Sequence, residues 1–288
     1  MRLPLLIGAV VFAAIASAQS PDWTEPFPPH KIADNLYYVG SKGLASYLIT
    51  TPQGNILINS SLEESVPLIR ASIEKLGFKF TDTKILLISH AHQDHDGGSA
   101  AIRKLTGAKY MVMDADVPVV ESGGTTDFQY GKKPGNQYPP AKVDRILHDG
   151  DQVALGGVVL TAHKTAGHTQ GCTTWTMKVV SGGKPRDVVI VGSWNVNGSF
   201  RLVDHPGHPA SYPGIAADYE RGFAILQGLP CDIFPGAHGA YFNMLKKLAR
   251  AQAGEGDSVW IDPEGYHQAL AERKQAFEAE LKRQQTTP

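Results

Sequence analysis

The most constraining feature of the chain is the apolar run Lys84-Ile85-Leu86-Leu87-Ile88, which stops abruptly at Ser89 and gives way to His90-Ala91-His92-Gln93-Asp94-His95. A continuous apolar run of this kind suits a strand buried on both faces, so the histidines after it must sit at the rim of a packed interior. Three imidazoles and a carboxylate within six residues offer the nitrogen and oxygen ligands that Zn²⁺ takes in hydrolytic sites. Side chains at i and i+2 of an extended segment project the same way, so His90 and His92 can share one metal. Asp94 and His95 are adjacent, and a tight turn could aim both at a second. A lone histidine is commonly structural; four ligand-type side chains crowded at a strand end are not explained that way.

Each metal needs further ligands. His168, in Gly167-His168-Thr169, follows a predicted strand at 158–162, and His238, between Gly236 and Gly239, follows a short apolar segment at 231–234 read as a last strand. With the cluster they complete two three-ligand sites, each leaving a position open for water, which marks a catalytic rather than a structural metal. The remaining histidines, His30, His148, His163, His205, His208 and His267, read as surface or loop residues.

Around this cluster the first half alternates strand and helix. Strands are predicted at 35–39, 45–49, 55–59 and 110–113, and helices at 62–76 and 99–105, closed by Gly77 and Gly107 in the usual C-terminal manner. Residues 122–140 are rich in Gly, Pro and polar side chains, a long loop of the sort that covers or binds something. Further strands are predicted at 173–180 and 188–191, and helices at 217–227, 243–253 and 266–283. This pattern implies layers of sheet and helix. Both halves run from a strand-rich start to a helix-rich finish, as in a pseudo-symmetric sandwich, and no linker divides them.

The N-terminus is set apart. Arg2, the apolar stretch 3–15 and the small-residue pattern Ala16-Ser17-Ala18 read as a signal peptide over residues 1–18. The run is too short for a spanning helix, which wants about 20 apolar residues. The mature chain, 19–288, is therefore expected as a single domain, periplasmic or secreted and free of the membrane once cleaved. A net charge of -1 without runs of Lys or Arg argues against nucleic acid and for a small-molecule substrate. The two cysteines, Cys172 and Cys231, form no Cys-x-x-Cys; a finger-type zinc site is excluded, and both are expected as free, mostly buried thiols.

The cluster resembles the hallmark His-x-His-x-Asp-His of the metallo-β-lactamase superfamily. Pro26-Phe27-Pro28-Pro29, Asn35-Leu36-Tyr37-Tyr38-Val39-Gly40, Tyr138-Pro139-Pro140-Ala141, Asp144-Arg145-Ile146-Leu147 and Ala166-Gly167-His168-Thr169 resemble its subclass B3, from about Trp23 to the C-terminal helix. The resemblance implies an α+β fold, an αββα sandwich with a dinuclear zinc site at one edge. It implies that His90, His92 and His168 bind the first Zn²⁺, and Asp94, His95 and His238 the second. At the strand end Val191-Gly192-Ser193, related thioesterases and lactonases carry a bridging aspartate and other lactamases a cysteine. Ser193 is a poor zinc ligand, and the use of His95 is the B3 solution. In that subclass the serine and the residue two positions on, here Asn195, lie near the substrate carboxylate. Asn59 stands where relatives often have an aspartate supporting the ligands, and Cys231 has no partner for the bridge some relatives form.

The implied activity is hydrolysis of the β-lactam amide of penicillins, cephalosporins or carbapenems by a metal-activated hydroxide, without an acyl-enzyme, in a monomer. Asp94 orients the hydroxide while it ligates. The loop at 122–140 forms one wall of the cleft, and Trp23 or Phe27 either forms another or simply packs. The alternatives are a zinc hydrolase of the same fold acting on a lactone or thioester, and an exported zinc-binding protein without catalysis.

Overall fold

The computed structural model describes residues 20–286; the expected signal segment lies outside them. Seven strands, β1 (His30–Ala33), β2 (Leu36–Tyr38), β3 (Tyr47–Thr51), β4 (Gly54–Ile58), β5 (Thr83–Leu87), β6 (Lys109–Met113) and β7 (Arg145–Leu147), form one sheet in chain order. The first four pair antiparallel through short turns. From β4 onward pairing is parallel, which requires crossovers, supplied by helices α1 (Val66–Lys75), α2 (Gln93–Asp96), α3 (Ser99–Thr106) and α4 (Val117–Glu121). The second sheet is an antiparallel meander of β8 (Gln152–Leu155), β9 (Val158–Lys164), β10 (Thr173–Ser181) and β11 (Lys184–Ile190).

Alternation along the central strands explains the layering. Ile56 and Ile58 of β4 and Ile85 and Leu87 of β5 point into the main core with Trp175, Met177 and Val189 of the second sheet. Their neighbours Leu57 and Leu86 point the other way, onto Val66, Ile69 and Ile73 of α1 and Ile102 of α3. A strand apolar at every position is thus buried on both faces, as the run into His90 demanded. On the far side, α5 (Ile215–Gly228) and α7 (Pro263–Thr286) meet through Tyr219 and Phe223 against Phe277, with ring centroids 5.3 and 5.6 Å apart, and α6 (Met244–Arg250) precedes α7. The result is the αββα sandwich expected from the sequence.

Most expected elements are present within a few residues of their expected bounds. Segment 231–234 differs: it makes only the isolated bridge Val188 to Ile233, followed by one from Val191 to Gly236 beyond Pro235, and Asp232 N and Ile233 N both donate to Asp187 O instead of extending a ladder. Both cysteines are free, Cys172 buried and Cys231 half-buried.

Candidate metal centre

The six expected ligands arrive from strand ends of both sheets. After β5 the chain stays extended through His92, which then caps the single-turn helix α2 with its His95 N–H bonded to His92 O at 3.0 Å. The anticipated tight turn is therefore one turn of helix, carrying Asp94 and His95. His168 lies between β9 and β10. Gly167 before it has φ +135°, and a side chain there would meet the Tyr219 ring at about 2.7 Å; the loop can pass only as glycine. His238 follows the Gly236 bridge and pairs with Leu44 across the sandwich edge.

The side chains gather in two groups. The ligand atoms of His90, His92 and His168 lie within 4.8 Å of one another. In the other group, Asp94 Oδ2 lies 3.1 Å from His95 Nε2 and 3.5 Å from His238 Nε2, and the two imidazole nitrogens are 3.2 Å apart. His90 is close to both, its ring centroid 4.3 Å from that of His95.

These residues fit a metal on their own chemistry. His90 Nε2 is buried without a hydrogen-bond partner, a state that is costly unless something outside the protein takes the lone pair. His168 Nδ1 donates to Asn195 O at 2.9 Å, which fixes the tautomer and leaves Nε2 free to ligate. Burial lowers the pKa of His90, of His168 to about 3 and of His238 to about 4, so these rings are neutral, as ligation requires. Burial opposes ionisation of Asp94, but the imidazoles of His95, His238 and His92 outweigh it and hold the carboxylate ionised.

Two carboxylates unread in the sequence lie beside the ligands, and the first of them supports the ligand loops. Asp116 Oδ2 accepts from Ala91 N at 2.9 Å and Thr169 Oγ1 at 2.8 Å, and Oδ1 accepts from Gly171 N at 2.8 Å. It thereby ties the His90 loop to the His168 loop; burial pushes its pKa up to about 6 against these donors. Asp127 places Oδ2 3.6 Å from His92 Nε2. Asn59 acts otherwise than expected. Its amide reaches no histidine; Oδ1 accepts from Ser89 N at 2.7 Å and Nδ2 donates to Ala45 O at 3.2 Å, so it anchors the backbone just before His90.

The triads open into a cleft of about 370 Å³. Gly124, Asp127, Tyr130, Asn136 and Tyr138 of the long loop line it, and Trp23 stands opposite, its ring 6.2 Å from His238. Phe27 packs instead against His30 and Tyr38. His30, expected at the surface or in a loop, lies in β1 with its ring stacked between Tyr38 and Trp260 at 5.1 and 5.2 Å. None of the six other histidines lines the cleft. Asn195 does, whereas Ser193 is buried behind it and bonded to Tyr241, a cleft residue the sequence did not mark.

A sandwich that brings two ligand triads to the mouth of one cleft defines a metal-dependent hydrolase. The chain belongs to the metallo-beta-lactamase superfamily, whose sequence profile matches residues 44–250. Its structure superimposes on the native FEZ-1 metallo-beta-lactamase from Legionella gormanii with a TM-score of 0.88 at 52% identity, covering 92% of this chain and 99% of that one. BJP-1, a subclass B3 metallo-beta-lactamase of Bradyrhizobium japonicum, matches with a TM-score of 0.84 at 38% identity, covering 92% and 97%. Within the superfamily the chain therefore groups with subclass B3. A hydroxyacylglutathione hydrolase of Rhodopseudomonas palustris is 30% identical over 124 residues, 43% of this chain; the chain spans only 39% of that relative's length. Among the described residues no helix is long and apolar enough to cross a membrane.

Proposed function

We propose that the protein hydrolyses the β-lactam amide of penicillins, cephalosporins or carbapenems with two Zn²⁺ ions. His90, His92 and His168 would hold one, and Asp94, His95 and His238 the other. The carrying observation is the second triad. His95 joins Asp94 and His238 there, while Ser193, where related hydrolases place a bridging carboxylate, is turned into the protein. The likeness to FEZ-1 and BJP-1 over nearly their whole lengths supports the same substrate class.

Bound there, zinc supplies a water that ionises near neutral pH and a charge that polarises the scissile carbonyl. The ionised Asp94 carboxylate, facing the cleft, accepts a hydrogen bond from the attacking nucleophile and orients it. Tyr130, Tyr138 and Trp23 wall the cleft and limit bulk water around the reacting amide. No serine or cysteine is among the residues lining the cleft, in keeping with direct hydrolysis and no acyl-enzyme. All six ligand candidates come from one chain, so the site needs no second copy, which suits a monomer. The signal pattern over residues 1–18 supports export to the periplasm or medium, leaving 19–288 as the working domain.

The rival reading, a thioester or lactone hydrolase, draws support from the partial match to hydroxyacylglutathione hydrolase. Turnover of a penicillin, a cephalosporin and a carbapenem by the purified protein, set beside S-lactoylglutathione and an acyl-homoserine lactone, separates the two. The expected outcome is β-lactam turnover abolished by a chelator and restored by zinc. Turnover of the thioester or lactone alone would overturn the proposal, and a protein that binds zinc yet cleaves nothing would favour a non-catalytic role.

A further inference from the structure

Of the two residues expected to receive the substrate carboxylate, only Asn195 reaches the cleft. Ser193 is 3% exposed, and the residue that lines the cleft beside Asn195 is Tyr241. Tyr241 Oη lies 3.2 Å from Ser193 Oγ and 3.0 Å from Asn195 Nδ2. We propose that the Tyr241 hydroxyl, held from behind by Ser193 and Asn195, is the donor that receives the substrate's carboxylate and sets specificity for anionic β-lactams. This rests on the β-lactam reading above.

A count of protons supports the assignment. An amide nitrogen can only donate, so Asn195 Nδ2 gives a proton to Tyr241 Oη. The Ser193–Tyr241 bond can run either way. If Tyr241 donated, the Ser193 proton would be left buried with no other partner, a costly arrangement. If Ser193 donates, both lone pairs of Oη are engaged and the phenolic proton is left for the cleft, where an anion can take it.

The ring is also held still. Tyr241 sits on the turn Gly239–Phe242 directly after His238. Its centroid is 5.2 Å from His238 and 5.6 Å from Trp194, and it lies over Gly236, where any Cβ would come within 2.9 Å of the ring. Cationic side chains lie beside Tyr241 on the side away from the Asp94 and Asp127 carboxylates of the cleft. A second hollow, about 610 Å³, shares Tyr241 and His238 with the cleft and is lined by Lys246 and Arg273. Lys42 is engaged there by Asp22 at 3.4 Å and by Glu25 at 3.1 Å, so with Lys246 and Arg273 one positive charge is in excess.

The test compares the zinc-loaded wild type with Tyr241→Phe and Ser193→Ala, on benzylpenicillin and on its methyl ester, which lacks the anion. A hydrogen bond to a charged group makes KM for the acid rise about 10- to 100-fold in Tyr241→Phe. The loss falls on KM rather than kcat, as uniform binding requires, and the ester is little affected. Zinc content equal to the wild type's shows that the variant keeps its triads. Ser193→Ala answers independently: its KM rise for the acid is expected to be the smaller, and a larger one overturns the assignment. Wild-type inertness towards both compounds sinks the β-lactam reading and this role with it. An active wild type whose acid-to-ester KM ratio survives Tyr241→Phe sinks the role of Tyr241 alone.

Discussion

Asp116 does for the two metal-bearing loops what neither does for itself. One buried carboxylate satisfies Ala91 N, Thr169 Oγ1 and Gly171 N together, so the histidines on either side are set relative to each other before any metal arrives. Asparagine cannot replace it. The amide has one accepting oxygen, and whichever way it turns, an N–H faces an N–H on one side. Asp116→Asn is expected to cost about 1–3 kcal/mol of folding stability for the orphaned donor, read as a lower midpoint in urea unfolding with an unchanged slope; an unchanged midpoint would show the loops are tied elsewhere. The His90–His95 cluster was legible because ligand-type residues so crowded have few other uses. Asp116 and Tyr241 were not. One of two acids inside the otherwise apolar stretch 110–120, or one tyrosine among ten, carries no period, and its meaning appears only when distant loops close on it.

Elements were legible in proportion to their burial. Strands β3 to β6 announce themselves because their central positions are packed on both faces and are apolar. The short strands β1, β7 and β8 went unread: they run three or four residues, and exposed positions leave too few apolar residues to show an alternation. The long loop at 122–140 was legible as a loop, and its place over the cleft accords with the rarity of such loops without a task. The turn between β9 and β10 is where an element's geometry bears most directly on chemistry. With Gly167 at φ +135° and Tyr219 against it, Gly167→Ala must move the loop or the α5 ring. The expected result is zinc loss from the triad that includes His168, measured as metal content after gel filtration, with a lower thermal midpoint. Full metal content in that variant would show that the loop accommodates the methyl group.

At the scale of the molecule, the triads draw on both halves of the sandwich. His90 to His95 leave the first sheet, His168 belongs to the second, and His238 bridges to Leu44 at the seam. A metal bound only when these loops are in place stabilises the folded state by mass action, about 4 kcal/mol at free zinc a thousandfold above its dissociation constant. Chelation is therefore expected to lower the thermal midpoint by several degrees, reversed by added zinc; coincident melting curves would show that the sheets dock without help from the site. The same placement reaches beyond catalysis. If removing the metal loosens the molecule along the line where its halves meet, the chain opens more often to proteases. Where zinc is scarce, such a protein would be cleared as well as silenced, so the metal supply would govern how many copies persist and not only how fast each one works.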